Sequence, residues 1–233
     1  MKITIPHFED LLHLFYPHYC AGCGTDSIRK EQFLCGQCLS SLPSTNFEKI
    51  SGNVVERMFY GRLPLESACS MYYFTKGKLL QHLIHLMKYD GEKKLGILLG
   101  ELMGLRLIEN NRFSNLDLLI PLPMFPEKMK KRGYNQATLL AQGISNITGI
   151  PLSENAVLRS RSTESQTRKQ RTERWQNVAS SFYINDISSI RNKNILLVDD
   201  VITTGATLEA CGQTILASNG AGLSVASLAL AIQ

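Results

Sequence analysis

Asp199 and Asp200 stand side by side after the apolar run 195–198, and Thr203, Thr204, Gly205, Ala206 and Thr207 follow almost at once. That order suits a ligand with two unlike parts. The threonine hydroxyls and the unpaired N–H groups of a starting helix attract an anion such as a phosphate. Gly205 lets the backbone close around its oxygens with no side chain in the way. Two carboxylates cannot grip the same phosphate, because they would repel it. They must face a metal or something neutral and rich in donors, and a sugar diol meets the second requirement. Phosphate and ribose together describe a 5-phosphoribosyl group. A Walker A loop needs a lysine after its last glycine, and a dinucleotide-binding turn needs three glycines; neither is present. The bland alternative is a solvent-facing strand end followed by a threonine-capped helix.

A second constellation is Cys20, Cys23, Cys35 and Cys38, spaced C-x2-C-x11-C-x2-C. Each pair presents two thiolates from one tight turn, and two such turns complete the tetrahedron that structural Zn²⁺ prefers. The competing chemistry is a redox dithiol, which four filled positions disfavour. His7, His13 and His18 flank the module and are expected on the surface or in the core, not as a fifth ligand. The module either braces the protein or touches nucleic acid. Its local charge is not strongly basic, which speaks against a major phosphate contact.

Positive charge is concentrated in two places. The chain carries a formal charge of +5, of which the segment 127–132 supplies +3 and the segment 159–174 supplies +4, leaving −2 elsewhere. Local basic segments point to specific anion sites more than to a generally adhesive surface. Lys131 and Arg132 follow the strand-like "LLIPLP", and an arginine fork suits paired phosphate oxygens. Residues 132–136 are expected to start the next helix. Lys88, in "KYDG", is a further candidate for phosphate. For the lysines a solvated helix face competes on equal terms. The stretch 159–175 is long, basic and poor in apolar residues, so a flexible loop is expected there. Arg168, Arg171 and Arg174 could bind nucleic-acid phosphates with Trp175 stacking on a base; equally, Trp175 could anchor an exposed helix to the core.

The elements that must position these residues alternate. "SACSMYYF", "NLDLLIPLP", "KNILLVDD" and "LSVASLALAI" have strand character, with "SFYI" a possible fifth. Helical patterns fill "KGKLLQHLIHLMKY", "KLGILLGELMGLRLIE", "NQATLLAQGISNITG" and "GATLEACGQTILASNG". Strands alternating with helices predict an α/β fold with a parallel sheet. Residues 1–60 differ in character, being rich in cysteine and turns with an apolar helical pattern at Phe8, Leu11, Leu12 and Phe15. We therefore expect a small N-terminal helix and zinc-binding module over 1–60 and an α/β domain over 61–233. No apolar run reaches the roughly 20 residues of a membrane span. The N-terminus, with Glu9 and Asp10, is unlike a secretory signal, and the cysteine usage predicts the cytoplasm.

The sequence "LLVDDVITTGAT" resembles the phosphoribosyl pyrophosphate (PRPP) signature of type I phosphoribosyltransferases. With "KYDG", "IPLP", "RGYNQATLLA", "LRSRSTESQTRKQRTERWQNVASSF" and the cysteine-rich N-terminus, it resembles the ComF family over nearly the whole chain. The resemblance implies a type I phosphoribosyltransferase fold in which Asp199 and Asp200 hold the ribose hydroxyls and residues 203–207 hold the 5-phosphate. It implies Mg²⁺ accompanying PRPP and a flexible hood over it, a place the basic loop could fill; Lys88, Lys131 and Arg132 are the candidates for its pyrophosphate. It further implies a role in natural competence, with single-stranded DNA and other competence proteins as partners. An active phosphoribosyltransferase on an unidentified nucleobase or amine, unrelated to DNA uptake, is the alternative.

Overall fold

The computed structural model describes residues 18–29, 32–89, 91–160, 181–218 and 222–231. The expected N-terminal helix with His7 and His13, and the basic residues Arg168, Arg171 and Arg174 with Trp175, lie outside the described residues.

In chain order the elements are α1 (Gly36–Ser40), α2 (Val54–Phe59), β1 (Ser67–Phe74), α3 (Leu79–Tyr89), α4 (Lys93–Ile108), β2 (Leu118–Pro121) and α5 (Pro126–Arg132). There follow α6 (Gln136–Thr148), β3 (Val157–Arg159), β4 (Phe182–Ile184), β5 (Asn194–Ile202), α7 (Ala206–Leu216) and β6 (Gly222–Ala231). β1, β6, β5 and β2 form a parallel sheet in that order. Its central strands are buried on both faces, which is why β6 is an almost unbroken apolar run: every residue from Leu223 to Leu230 is buried. The expected α/β architecture is observed. "SFYI" does form a strand, but outside this sheet: β4 pairs antiparallel with β3, with Arg159 opposite Phe182. Arg159, expected to open the basic loop, therefore belongs to a strand.

The stretch 132–136 differs from the expected helix start. Arg132 ends α5, and Gly133 takes a left-handed conformation (φ 78°) with its N–H on Met129 O. The next helix begins at Gln136 and is capped by Asn135, whose side chain accepts from Ala137 N at 3.1 Å and donates to Leu122 O at 2.9 Å. A glycine that stops one helix and an asparagine that caps another override the continuous polar pattern.

Residues 42–60 lie against β1. Tyr73 N donates to Pro43 O at 2.9 Å and Thr45 N to Met71 O at 3.0 Å. Asn53 caps α2 and donates to Ala68 O at 2.7 Å.

α4 and α6 touch backbone to backbone. Gly96, Gly100 and Gly104 repeat every fourth residue and so lie along one side of α4. A Cβ at Gly100 would lie 2.2 Å from Leu140 O, and one at Gly143 would lie 2.1 Å from Ile97 O. Neither obstacle is a flexible side-chain end. Gly143→Ala should therefore cost about 3 kcal/mol, the upper range for overpacking. Urea unfolding measures it; an unchanged midpoint would mean the helices are not packed this closely.

Candidate functional site

The site is built at the carboxyl end of β5, the position where ligands bind in open parallel sheets. β5 extends two residues beyond the aspartates, so both are held in extended backbone. Asp199 is registered beside Ser227 of β6 and accepts from Asp200 N at 2.8 Å, while Asp200 accepts from Val201 N at 2.9 Å. The other oxygen of Asp200 forms an ion pair with Lys88 Nζ, from the last turn of α3. Burial pushes the Asp199 carboxyl well above its ordinary range, and the neighbouring charge of Asp200 adds to this; the Asp200 N–H and Lys88 oppose it only in part.

The turn after β5 exposes Thr203 and Thr204, buries Gly205 and half-buries Ala206 and Thr207 at the start of α7. Gly205 has φ 75°, and a Cβ there would lie 2.9 Å from the Phe59 ring. Both the left-handed backbone and the aromatic ring behind it require glycine. Arg62 braces the same turn: it donates to Met58 O at 3.0 Å, to Thr204 O at 3.4 Å, and to Glu209 of α7 at 3.0 Å from Nε. Phe59 and Arg62 were not foreseen from the sequence. No local pattern marks them, since Arg62 and Glu209 lie 147 positions apart.

Beside Asp200 lies an open cleft of about 410 Å³, lined by Phe74, Gln81, His85, Lys88, Tyr89 and Thr203 among others. Tyr89, 62% exposed, packs at a tilt against His85 with ring centroids 4.8 Å apart. On the same ring the Arg132 guanidinium stands 5.2 Å from the centroid, and Arg132 also donates to Gln136 at 2.7 Å. Lys88 and Arg132 are thus brought towards one another through Tyr89. Lys131 is exposed on α5.

The four module cysteines meet as their spacing predicts. Their sulfurs all lie within 4.8 Å of one another, with Cys23 and Cys35 3.7 Å apart. Zn–S bonds of about 2.3 Å in a tetrahedron imply sulfur separations of about 3.8 Å, so the cluster suits a structural zinc. Burial works to raise the Cys20 thiol, yet N–H groups of Cys35, Cys23 and Gly22 outweigh it and bring Cys20 down to about 6. Burial and the neighbouring sulfurs push Cys38 up. Four thiols this close cannot all ionise unless a cation joins them. The first turn of the module rests on α3: Gly22 is so close to Leu79 and Cys38 that a Cβ would fall within 2.8 Å of both side chains.

This fold, with a paired acid and a Thr-Thr-Gly-Ala-Thr turn at a strand end, defines the class. Residues 130–231 match the phosphoribosyl transferase domain family. The chain is 30% identical to competence protein F of Haemophilus influenzae over 194 residues, covering 82% of this chain and 75% of that protein. It is 25% identical to DNA utilization protein YhgH of Escherichia coli, covering 88% and 87% of the two chains. It is 34% identical to competence protein ComFC of Bacillus subtilis over 113 residues, 48% of this chain and 43% of that one. The chain belongs to the competence protein F (ComF) family of phosphoribosyltransferase-like proteins.

The raised Asp199 carboxyl gives stability a pH dependence of defined sign. Above the ordinary carboxyl range of about 4, the unfolded chain releases this proton while the folded chain retains it, so stability falls as pH rises towards the folded value. Asp199→Asn removes that loss. Urea unfolding should find the variant more stable than the parent at pH 7, with a smaller gap at pH 4; a variant less stable at pH 7 would mean that Asp199 is ionised and well compensated.

Proposed function

We propose that this protein binds PRPP at the carboxyl end of β5 and supports the handling of single-stranded DNA in natural competence. The observation that carries the first half is the arrangement of Asp199 and Asp200 one turn from Thr203–Thr207, with Gly205 fixed by Phe59. In this reading the N–H groups and hydroxyls of residues 203–207 hold the 5-phosphate, and the two carboxylates accept from the ribose hydroxyls. Lys88, now spent on Asp200, turns to the ligand's pyrophosphate, joined by Arg132 and Lys131. Asp199 and Asp200 offer the oxygen donors that would hold Mg²⁺ entering with PRPP, and the ion would supply positive charge against the pyrophosphate.

The second half is supported by the names of the relatives, two of which are competence proteins and one a DNA utilization protein. Arg168, Arg171, Arg174 and Trp175 supply the sequence features a single strand would engage. We assign residues 1–60 to the zinc-binding module and 61–233 to the phosphoribosyltransferase-like domain. The cytoplasm is the compartment this thiol chemistry fits: all six cysteines are free, and no helix among the described residues is long and apolar enough to cross a membrane.

A second reading, an active transferase on a nucleobase or amine acceptor, is favoured by the aromatic cleft beside Asp200. Pyrophosphate release that depends on an added acceptor distinguishes it.

Fluorescence anisotropy with a labelled single-stranded oligonucleotide tests the DNA half. Replacing Arg168, Arg171 and Arg174 together by alanine should reduce the slope of log affinity against log salt by about 2, since each single-strand phosphate contact contributes about 0.7. An unchanged slope would remove these arginines from the interface.

A further inference from the structure

Arg159 occupies an unusual place. Its guanidinium carbon lies 3.6 Å from the centroid of the Phe125 ring and 4.9 Å from that of Phe182. Phe182 is its cross-strand partner on β4. Phe125 caps α5 three residues after Leu122, whose N–H donates to Val198 O at 2.8 Å, directly before Asp199. Arg159 therefore stands over the β2 side of the aspartates, whereas Lys88 reaches them from the cleft at the ends of β1 and β6.

A guanidinium has five N–H donors. Here none has an acceptor among the described residues, and Nε is fully buried. Asp199 lies within electrostatic reach but accepts no hydrogen bond from it. An arginine placed only for packing against two rings would leave this desolvation uncompensated, and a buried charged donor without a partner is costly. Contact with the two rings occupies none of the N–H groups, so these remain for an incoming oxyanion, two N–H groups pairing with two of its oxygens. Burial lowers the proton affinity of Arg159, and a polyanion at that edge would restore it.

We propose that Arg159, held against Phe125 and Phe182, binds the diphosphate of the phosphoribosyl ligand. The proposal rests on the phosphoribosyl reading of the β5 turn and adds a cation that faces the diphosphate from the side opposite Lys88. The ligand's oxygens supply the acceptors that the described residues do not offer this guanidinium.

Calorimetric titration of the zinc-loaded full chain, in Mg²⁺, with inorganic pyrophosphate, PRPP, ribose 5-phosphate and a single-stranded oligonucleotide tests it. Arg159→Met should weaken pyrophosphate and PRPP by about tenfold or more, the worth of a charge-assisted hydrogen-bond pair. Ribose 5-phosphate and the oligonucleotide should change by about twofold or less, within ordinary surface effects. Arg159→Lys should recover only part of the loss, because an ammonium has no fork. The melting temperature of Arg159→Met should not fall, since the substitution removes unpaired donors and keeps the contact with the rings. Wild-type protein that takes up no pyrophosphate, an Arg159→Met variant that binds it as the parent does, or weakening of the oligonucleotide alone overturns the assignment. Wild-type protein that binds pyrophosphate but not ribose 5-phosphate instead defeats the phosphoribosyl reading.

Discussion

Two carboxylates one residue apart at the end of a buried strand repel each other and lose hydration, and much of the surrounding structure answers that problem. The repulsion is met within β5 by the N–H groups of Asp200 and Val201, and from outside by Lys88. Neither is sufficient to return Asp199 to its ordinary acidity. A stretch that works against its own stability in this way is characteristic of a ligand site, because a ligand rich in donors supplies what the fold lacks.

The supports of that site come from residues 22–88. Cys38 and Leu79 crowd Gly22, so the cysteine module rests against the beginning of α3, and the last turn of the same helix delivers Lys88 to Asp200. A rigid helix thus joins the metal-type cluster to the acidic pair. A parallel support runs through α2: Phe59 closes off the space behind Gly205, and Arg62 ties Thr204 to Glu209. The cysteine cluster is then more than an appendage, since loosening it would act on Lys88 through α3. Bracing accounts for its place in the fold without requiring it to touch nucleic acid.

Much of this was legible in the sequence because it is local. The period of Leu80, Leu83, Ile84 and Met87 gives α3, the unbroken apolar runs give β5 and β6, and the cysteine spacing gives a cluster whose sulfurs do converge. The order of acids, threonines and glycine marks a turn that is found at a strand end. What was not legible depends on long-range placement. Arg159 reads as one more basic residue of a loop until β3 and β4 pair and set it between two rings. Phe59 and Arg62 belong to no motif, and the polar run around Arg132 reads as a helix start because the left-handed turn at Gly133 leaves little trace in it.

The central claim is that the acidic pair and the turn after β5 form one ribose-phosphate site. Calorimetric titration of the zinc-loaded protein with PRPP and Mg²⁺, beside the Asp199→Ala, Asp200→Ala variant, tests it most directly. The account predicts one saturable site in the parent and none detectable in the variant. Equal binding by both proteins, or none by the parent, would contradict it.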